Sequence, residues 1–171
     1  MGDFSSKDPQ LFIDPIIGHR KFRVVNSELR PIFFDSIWAP GENVSECLAE
    51  RTHPKRSRRW FKKHSMSSCE CGFYAYHRTD SENMFVIGDV DAAIEGYGEI
   101  LLGTKGFRSE KARVLALSYP PNRNALALND WQFRAVSERY GVHIYPSFRK
   151  MQEDFPATYA GTTFDAELPH L

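Results

Sequence analysis

Three cysteines and several histidines carry the chain's most concentrated coordination chemistry. Cys47, His53, Cys69 and Cys71 follow the spacing C-x5-H-x15-C-x-C. Thiolates and neutral imidazoles are the donors zinc prefers, and structural zinc takes four of them in a tetrahedron. The spacing differs from the common C-x2-C knuckle. His64 is an alternative fourth donor and His77 a third. Pro54 biases His53 away from helical backbone, which suits a ligand on an extended loop. In extended backbone, Cys69 and Cys71 point to one face and can pinch one ion. The competing reading is burial as core thiols, since cysteine is among the most buried residue types. The zinc-deaminase pattern of H-x-E with P-C-x-x-C is absent.

A second concentration lies between His53 and Cys69. Lys55, Arg56, Arg58, Arg59, Lys62 and Lys63 surround Trp60 and Phe61, with no acid among them. Such a run neutralises phosphates while its aromatics stack on bases. An anionic membrane surface would attract it equally. The bland alternative is a solvated loop, because the whole chain has formal net charge +0. A third set is Arg108 and Glu110, which share one face of a strand-like segment. They read either as a surface ion pair or as the lining of a pocket, with His77 or His143 nearby.

One domain must position these groups. The chain has 171 residues, of which 42% are hydrophobic and 26% charged. That length can bury a core without disulfides. Three cysteines, an odd and low count, argue against a disulfide framework. Aromatic content of 13%, led by 13 Phe, favours sheets. The N-terminus is polar, and no apolar run reaches the length of a membrane helix. A cytoplasmic location is the expectation, although Met1-Gly2 with Ser6 matches the bare myristoylation pattern.

Residues 1–20 read as an irregular arm, 21–156 as a single β-rich domain with a basic insertion at 54–68, and 157–171 as a loose tail. Strands are expected at 22–25, 29–38, 72–77 and 84–90, with a short helical turn at 44–50. Residues 99–102 and 112–117 should form a hairpin around Gly103-Thr104-Lys105-Gly106. That G-x-x-G is read as a turn, not a nucleic-acid clamp, because strands flank it. In the second strand Ala112, Val114 and Ala116 should share one face. Asn129 or Asp130 should cap a helix ending at Gly141, and Ser147 a second helix over 148–155. Strands come first and helices last, without alternating βαβ units. The fold class is therefore α+β, mainly β: an antiparallel sheet or small open barrel with one or two C-terminal helices.

Several of these motifs together resemble a known family. The residues are Trp38-Ala39-Pro40-Gly41, Cys47, His53-Pro54, Cys69-Glu70-Cys71-Gly72-Phe73-Tyr74-Ala75, and Gly106-Phe107-Arg108-Ser109-Glu110-Lys111-Ala112-Arg113. The chain is similar over roughly residues 20–145 to a family of small bacterial proteins of unassigned function. The resemblance implies that His53, not His64, completes the cysteine set, and it brings no activity. The long basic stretch between His53 and Cys69 departs from the family pattern. The expected function is a zinc-stabilised β-rich binding module that contacts nucleic acid or another polyanion through residues 55–64. The alternatives are a small enzyme or ligand-binding protein around Arg108 and Glu110, and a protein-interaction adaptor.

Overall fold

A computed structural model describes residues 14–33, 36–46, 66, 70–77, 90–103, 105–119 and 129–159. The scaffold is a long hairpin of β5 (Val90–Leu102) and β6 (Gly106–Ser118). β1 (Ile16–Val25) runs antiparallel to β5, with Ile16 opposite Gly96 and Phe22 opposite Val90. β2 (Glu28–Pro31) folds back on β1 through Asn26 and Ser27. Both turn residues have positive φ, 53° and 60°, the I′ geometry that matches strand twist. The second edge of β6 collects three short strands. These are β4 (Phe73–Tyr76), β3 (Asn43–Val44) and β7 (His143–Tyr145). β4 also meets β1 at His19 and Tyr76, so β1, β5, β6 and β4 close a ring.

The mainly antiparallel sheet with two C-terminal helices matches the expected class. Several boundaries differ. β1 begins at Ile16, inside the stretch read as an irregular arm. The strand expected over 29–38 stops at Pro31, and Trp38 returns only as an isolated bridge to Leu29. Val44 lies in β3, not in a helical turn. Residues 84–89 lie outside the described residues. β5 runs unbroken from Val90 through the Gly96 to Gly98 stretch.

The faces of β6 also differ from simple alternation. Ala93 pairs Ala116 and Ile94 pairs Val114, leaving Leu115 as a bulge. A bulge inserts one residue and shifts the alternation. Ala112, Val114 and Leu117 therefore pack on the main core, whereas Leu115 and Ala116 pack on the outer face. Inside the ring, Phe107 is fully buried against β5. Gly96 makes this possible: a Cβ there would stand 2.3 Å from Phe107 Cε2.

Helix α1 (Asp130–Tyr140) caps the main core with Phe133, Val136 and Tyr140. Its start is set by a reciprocal box, in which the Asn129 side chain accepts from Gln132 N and the Gln132 side chain from Asn129 N. Gly141 ends it in left-handed backbone. The Tyr140 hydroxyl donates to Trp38 O (2.5 Å) and accepts from Leu29 N (2.9 Å), tying α1 to the 29–38 bridge. Helix α2 (Phe148–Asp154), capped by Ser147 as expected, covers the outer face at Ala93 and Ala116 with Met151. His19 is buried beneath it, with Nε2 donating to Phe155 O (2.9 Å) and an edge contact to Phe148. The stretch read as a loose tail begins anchored: Thr158 N donates to Ile17 O, and Ile17 N to Thr158 Oγ1. One βαβ unit is present, because β7 runs parallel to β6 across α1.

Candidate functional site

The basic segment leaves and re-enters the described structure on one short stretch of β6. Upstream, Asn43 and Val44 pair with Ala112 and Lys111, and Ser45 N donates to Glu110 O (2.8 Å). The Tyr97 hydroxyl donates to Glu42 Oε2 (2.9 Å), and Lys111 Nζ lies 3.8 Å from the same carboxylate. Burial first, then the Glu42 carboxylate, pushes the Tyr97 phenol up to about 12, so it stays a donor.

Downstream, the segment returns at Met66, which is 1% exposed. Two side chains grip its backbone. Arg108 Nη2 donates to Met66 O (2.8 Å), and Met66 N donates to Glu99 Oε1 (3.1 Å). Arg108 enters from β6 and is itself buried, its guanidinium 5.7 Å from the Tyr74 ring centre. Glu99 is aimed by a second bulge, where Gly98 and Glu99 both face the single residue Glu110. The Glu110 carboxylate then accepts from Glu99 N (3.2 Å). Gly72 lets the grip close, since a Cβ there would stand 2.7 Å from both Arg108 Cγ and Met66 Cε.

This geometry revises the reading of Arg108 and Glu110. No ion pair joins them; each holds a different piece of backbone. Neither lines the cleft that the described residues form beside α1. That cleft, about 310 Å³, is lined by Tyr119, Asp130, Arg134, Ser137, His143 and Ile144. Of the residues predicted to line a pocket, it takes in only His143. The others were missed because they come from β6, α1 and β7, which meet only through the parallel crossover. The spacing of Asp130, Arg134 and Ser137 on one helix face was the available signal.

Cys47, His53, His64, Cys69 and the whole run from Lys55 to Lys63 lie outside the described residues. Cys71 lies within them and is disulfide-bonded. A count of three cysteines argues against a disulfide framework, and it still allows a single bridge. A bridged sulfur has no thiolate to offer a metal, so Cys71 fits a zinc site only in the reduced chain. His77 is buried between Phe107 and Tyr159, 6.2 and 5.5 Å between ring centres. Burial lowers its pKa. Among the described residues no group of three or more His, Cys, Asp or Glu side chains is placed to hold a metal. Among them, too, no helix is long and apolar enough to cross a membrane. Comparison of the chain with protein-family models, with curated proteins and with solved structures finds no match, so what the site does rests on its own geometry.

Proposed function

We propose that this protein is a β-rich binding module that displays the basic segment 55–64 to a polyanion, single-stranded nucleic acid being the best fit. The observation that supports it is the two-sided anchoring. Ser45 and Met66, on either side of the segment, are both fastened at Glu110, Arg108 and Glu99. Fixing both ends of a loop lowers the ordering cost when it binds. Six cations supply the phosphate contacts, and Trp60 and Phe61 supply stacking faces.

The test is fluorescence anisotropy with a labelled single-stranded oligonucleotide across a salt series. Full engagement of six cations gives a slope of log K against log salt of about −4, at ~0.7 per neutralised phosphate. The double variant Arg58→Glu/Arg59→Glu should abolish binding at an unchanged thermal midpoint. Unaltered affinity in that variant refutes the proposal.

Zinc belongs to the same proposal, as a property of the reduced chain. In the cytoplasm, where thiols are kept reduced, Cys47, His53, Cys69 and Cys71 would take one ion. Metal analysis of untagged protein prepared with and without reductant should give one zinc per chain in the reduced sample alone. Zinc-free reduced protein that remains folded refutes this part.

A further inference from the structure

We infer that residues 148–159, α2 and the stretch after it, form an acid-released strap over the β1–β4 joint of the ring, and that a proton on His19 lifts it. The strap touches both sides of that joint, which among the described residues is the single pair His19 and Tyr76. On the β1 side, His19 Nε2 donates to Phe155 O and its ring meets Phe148 edge-on, while Ile17 exchanges two hydrogen bonds with Thr158. On the β4 side, His77 packs against Tyr159, 5.5 Å between ring centres. Met151, Phe148 and Phe155 pack with Ala93 and Ala116 in a cluster separate from the main core. A seven-residue helix has little stability of its own. The strap therefore depends on these contacts and can leave while the main core stays folded.

His19 is 1% exposed. The Phe155 carbonyl can only accept, so Nε2 carries the hydrogen and Nδ1 is the bare nitrogen of a neutral ring. Nδ1 is buried and has no hydrogen-bond partner among the described residues. A second proton sets a charge and an N–H at that atom with no acceptor, which is costly away from water. Phe148 and the Phe155 backbone wall the ring and both belong to the strap, so lifting it hydrates the imidazolium. Burial accordingly holds the His19 pKa below its ordinary value, against the pull of the Phe155 carbonyl. The surrounding charges do not offset this. Lys21, on the same face of β1, is paired with Asp91 of β5 (2.7 Å). Burial pushes the Asp91 carboxyl up, against Lys21, so Asp91 binds its proton more tightly in the folded chain and opposes acid release. On α2, Glu153 lies against Lys150 and Arg149, and Asp154 accepts from the Tyr145 hydroxyl. Tyr76 faces His19 from β4, and His143 of β7 is exposed beside Tyr145. His77 is buried and lowered in the same sense as His19.

The experiment is native-state hydrogen exchange by NMR at about pH 7 and about pH 5.5 across a low-urea series, with rates corrected for the intrinsic pH dependence of exchange. The amides of Phe155 and Thr158, which donate to Met151 O and Ile17 O, report the strap. Ile94 and Leu117 report the β5–β6 pairing. The strap amides should exchange through a local opening insensitive to urea, whereas Ile94 and Leu117 follow urea-dependent global unfolding. The strap opening should be about eightfold more populated at the lower pH, the factor for a proton accepted at the ordinary 6.5 when open and excluded when closed. His19→Gln keeps an amide donor for Phe155 O and does not titrate, so it should lose most of that change, and His19→Gln/His77→Gln all of it. Titration of the His19 ring by its Cε1–H signal needs no variant and should give a pKa below 6.5. A ring pKa at or above that value overturns the inference. So does an unchanged pH response in His19→Gln, or strap amides that exchange only with the urea-dependent unfolding of Ile94 and Leu117.

Discussion

Replacing Arg108 with Met separates local anchoring from global stability. The side chain is 7% exposed and its Nη2 donates to the buried carbonyl of Met66. Methionine keeps most of the apolar stem and removes the guanidinium. Two effects oppose each other. The Met66 carbonyl loses its partner, a cost of about 1–3 kcal/mol for a buried polar group. The fold no longer has to desolvate a buried cation, a gain that can cancel such a loss globally. The first effect falls chiefly on Met66, with a longer bond to the Tyr74 hydroxyl (3.5 Å) lost beside it, whereas the second is shared by the whole hairpin. At ~2 kcal/mol, opening of the Met66 contact becomes about 30-fold more frequent, since 1.4 kcal/mol is tenfold. Global stability should change by less than ~1 kcal/mol. Hydrogen exchange by NMR reads both quantities. The Met66 amide, which donates to Glu99 Oε1, should exchange about 30-fold faster, while Ile94 and Leu117 in the β5–β6 pairing keep their rates. A Met66 rate within about threefold of the parent protein refutes the grip. Uniform acceleration at all three amides shows instead that Arg108 supports the whole sheet.

Three further outcomes follow from the packing. Gly96→Ala drives a methyl into Phe107 and should cost about 1–3 kcal/mol in urea unfolding, with most of it regained in Gly96→Ala/Phe107→Leu. Tyr140→Phe removes the buried bonds to Leu29 N and Trp38 O and should cost about 2 kcal/mol. For a chain of this size that lowers the thermal midpoint by about 4–8 °C; an unchanged midpoint means water replaces the hydroxyl. Burial lowers the His19 pKa from its ordinary 6.5, so the unfolded chain takes up the proton first as pH falls. Stability from this group is complete above about pH 6.5 and declines below it. His77 is shifted the same way, so His19→Gln should reduce, not abolish, the fall in thermal midpoint between pH 7 and 5. An identical slope in that variant removes His19 from the account.

Local signals were the legible ones. Asn129, Gln132 and Gly141 mark the ends of α1 by chemistry confined to one turn, and Ser147 does the same for α2. The β5–β6 turn was legible because its glycines sit between two apolar runs. What escaped depends on partners far along the chain. Ile16 to Arg20 look irregular until β5 arrives beside them. The alternation over Ala112 to Leu117 fails because the bulge at Leu115 is a property of the pairing, not of either strand. Arg108 and Glu110 stand out in the sequence as charges within a strand. Their targets, the backbones of Met66 and Glu99, carry no side-chain signature. The cleft draws its lining from three elements whose meeting depends on a parallel crossover the element order did not announce.

The ring of β1, β5, β6 and β4 is held with very unequal strength around its circumference. Among the described residues β5 and β6 share ten paired positions, and β1 and β5 share seven, whereas β1 and β4 meet at one, His19 with Tyr76. The β5–β6 and β1–β2 hairpins close over short turns, so their loop entropy is small. Pairing of β1 with β5, and of β3 with β6, must bring together residues roughly seventy to eighty positions apart, which makes those contacts slow to form. The order of assembly is therefore expected to run from the two hairpins to their docking, with the His19–Tyr76 joint last. A joint made last and by one residue pair is also the first to part. The ring should unzip there, beneath α2, well before the long hairpin yields.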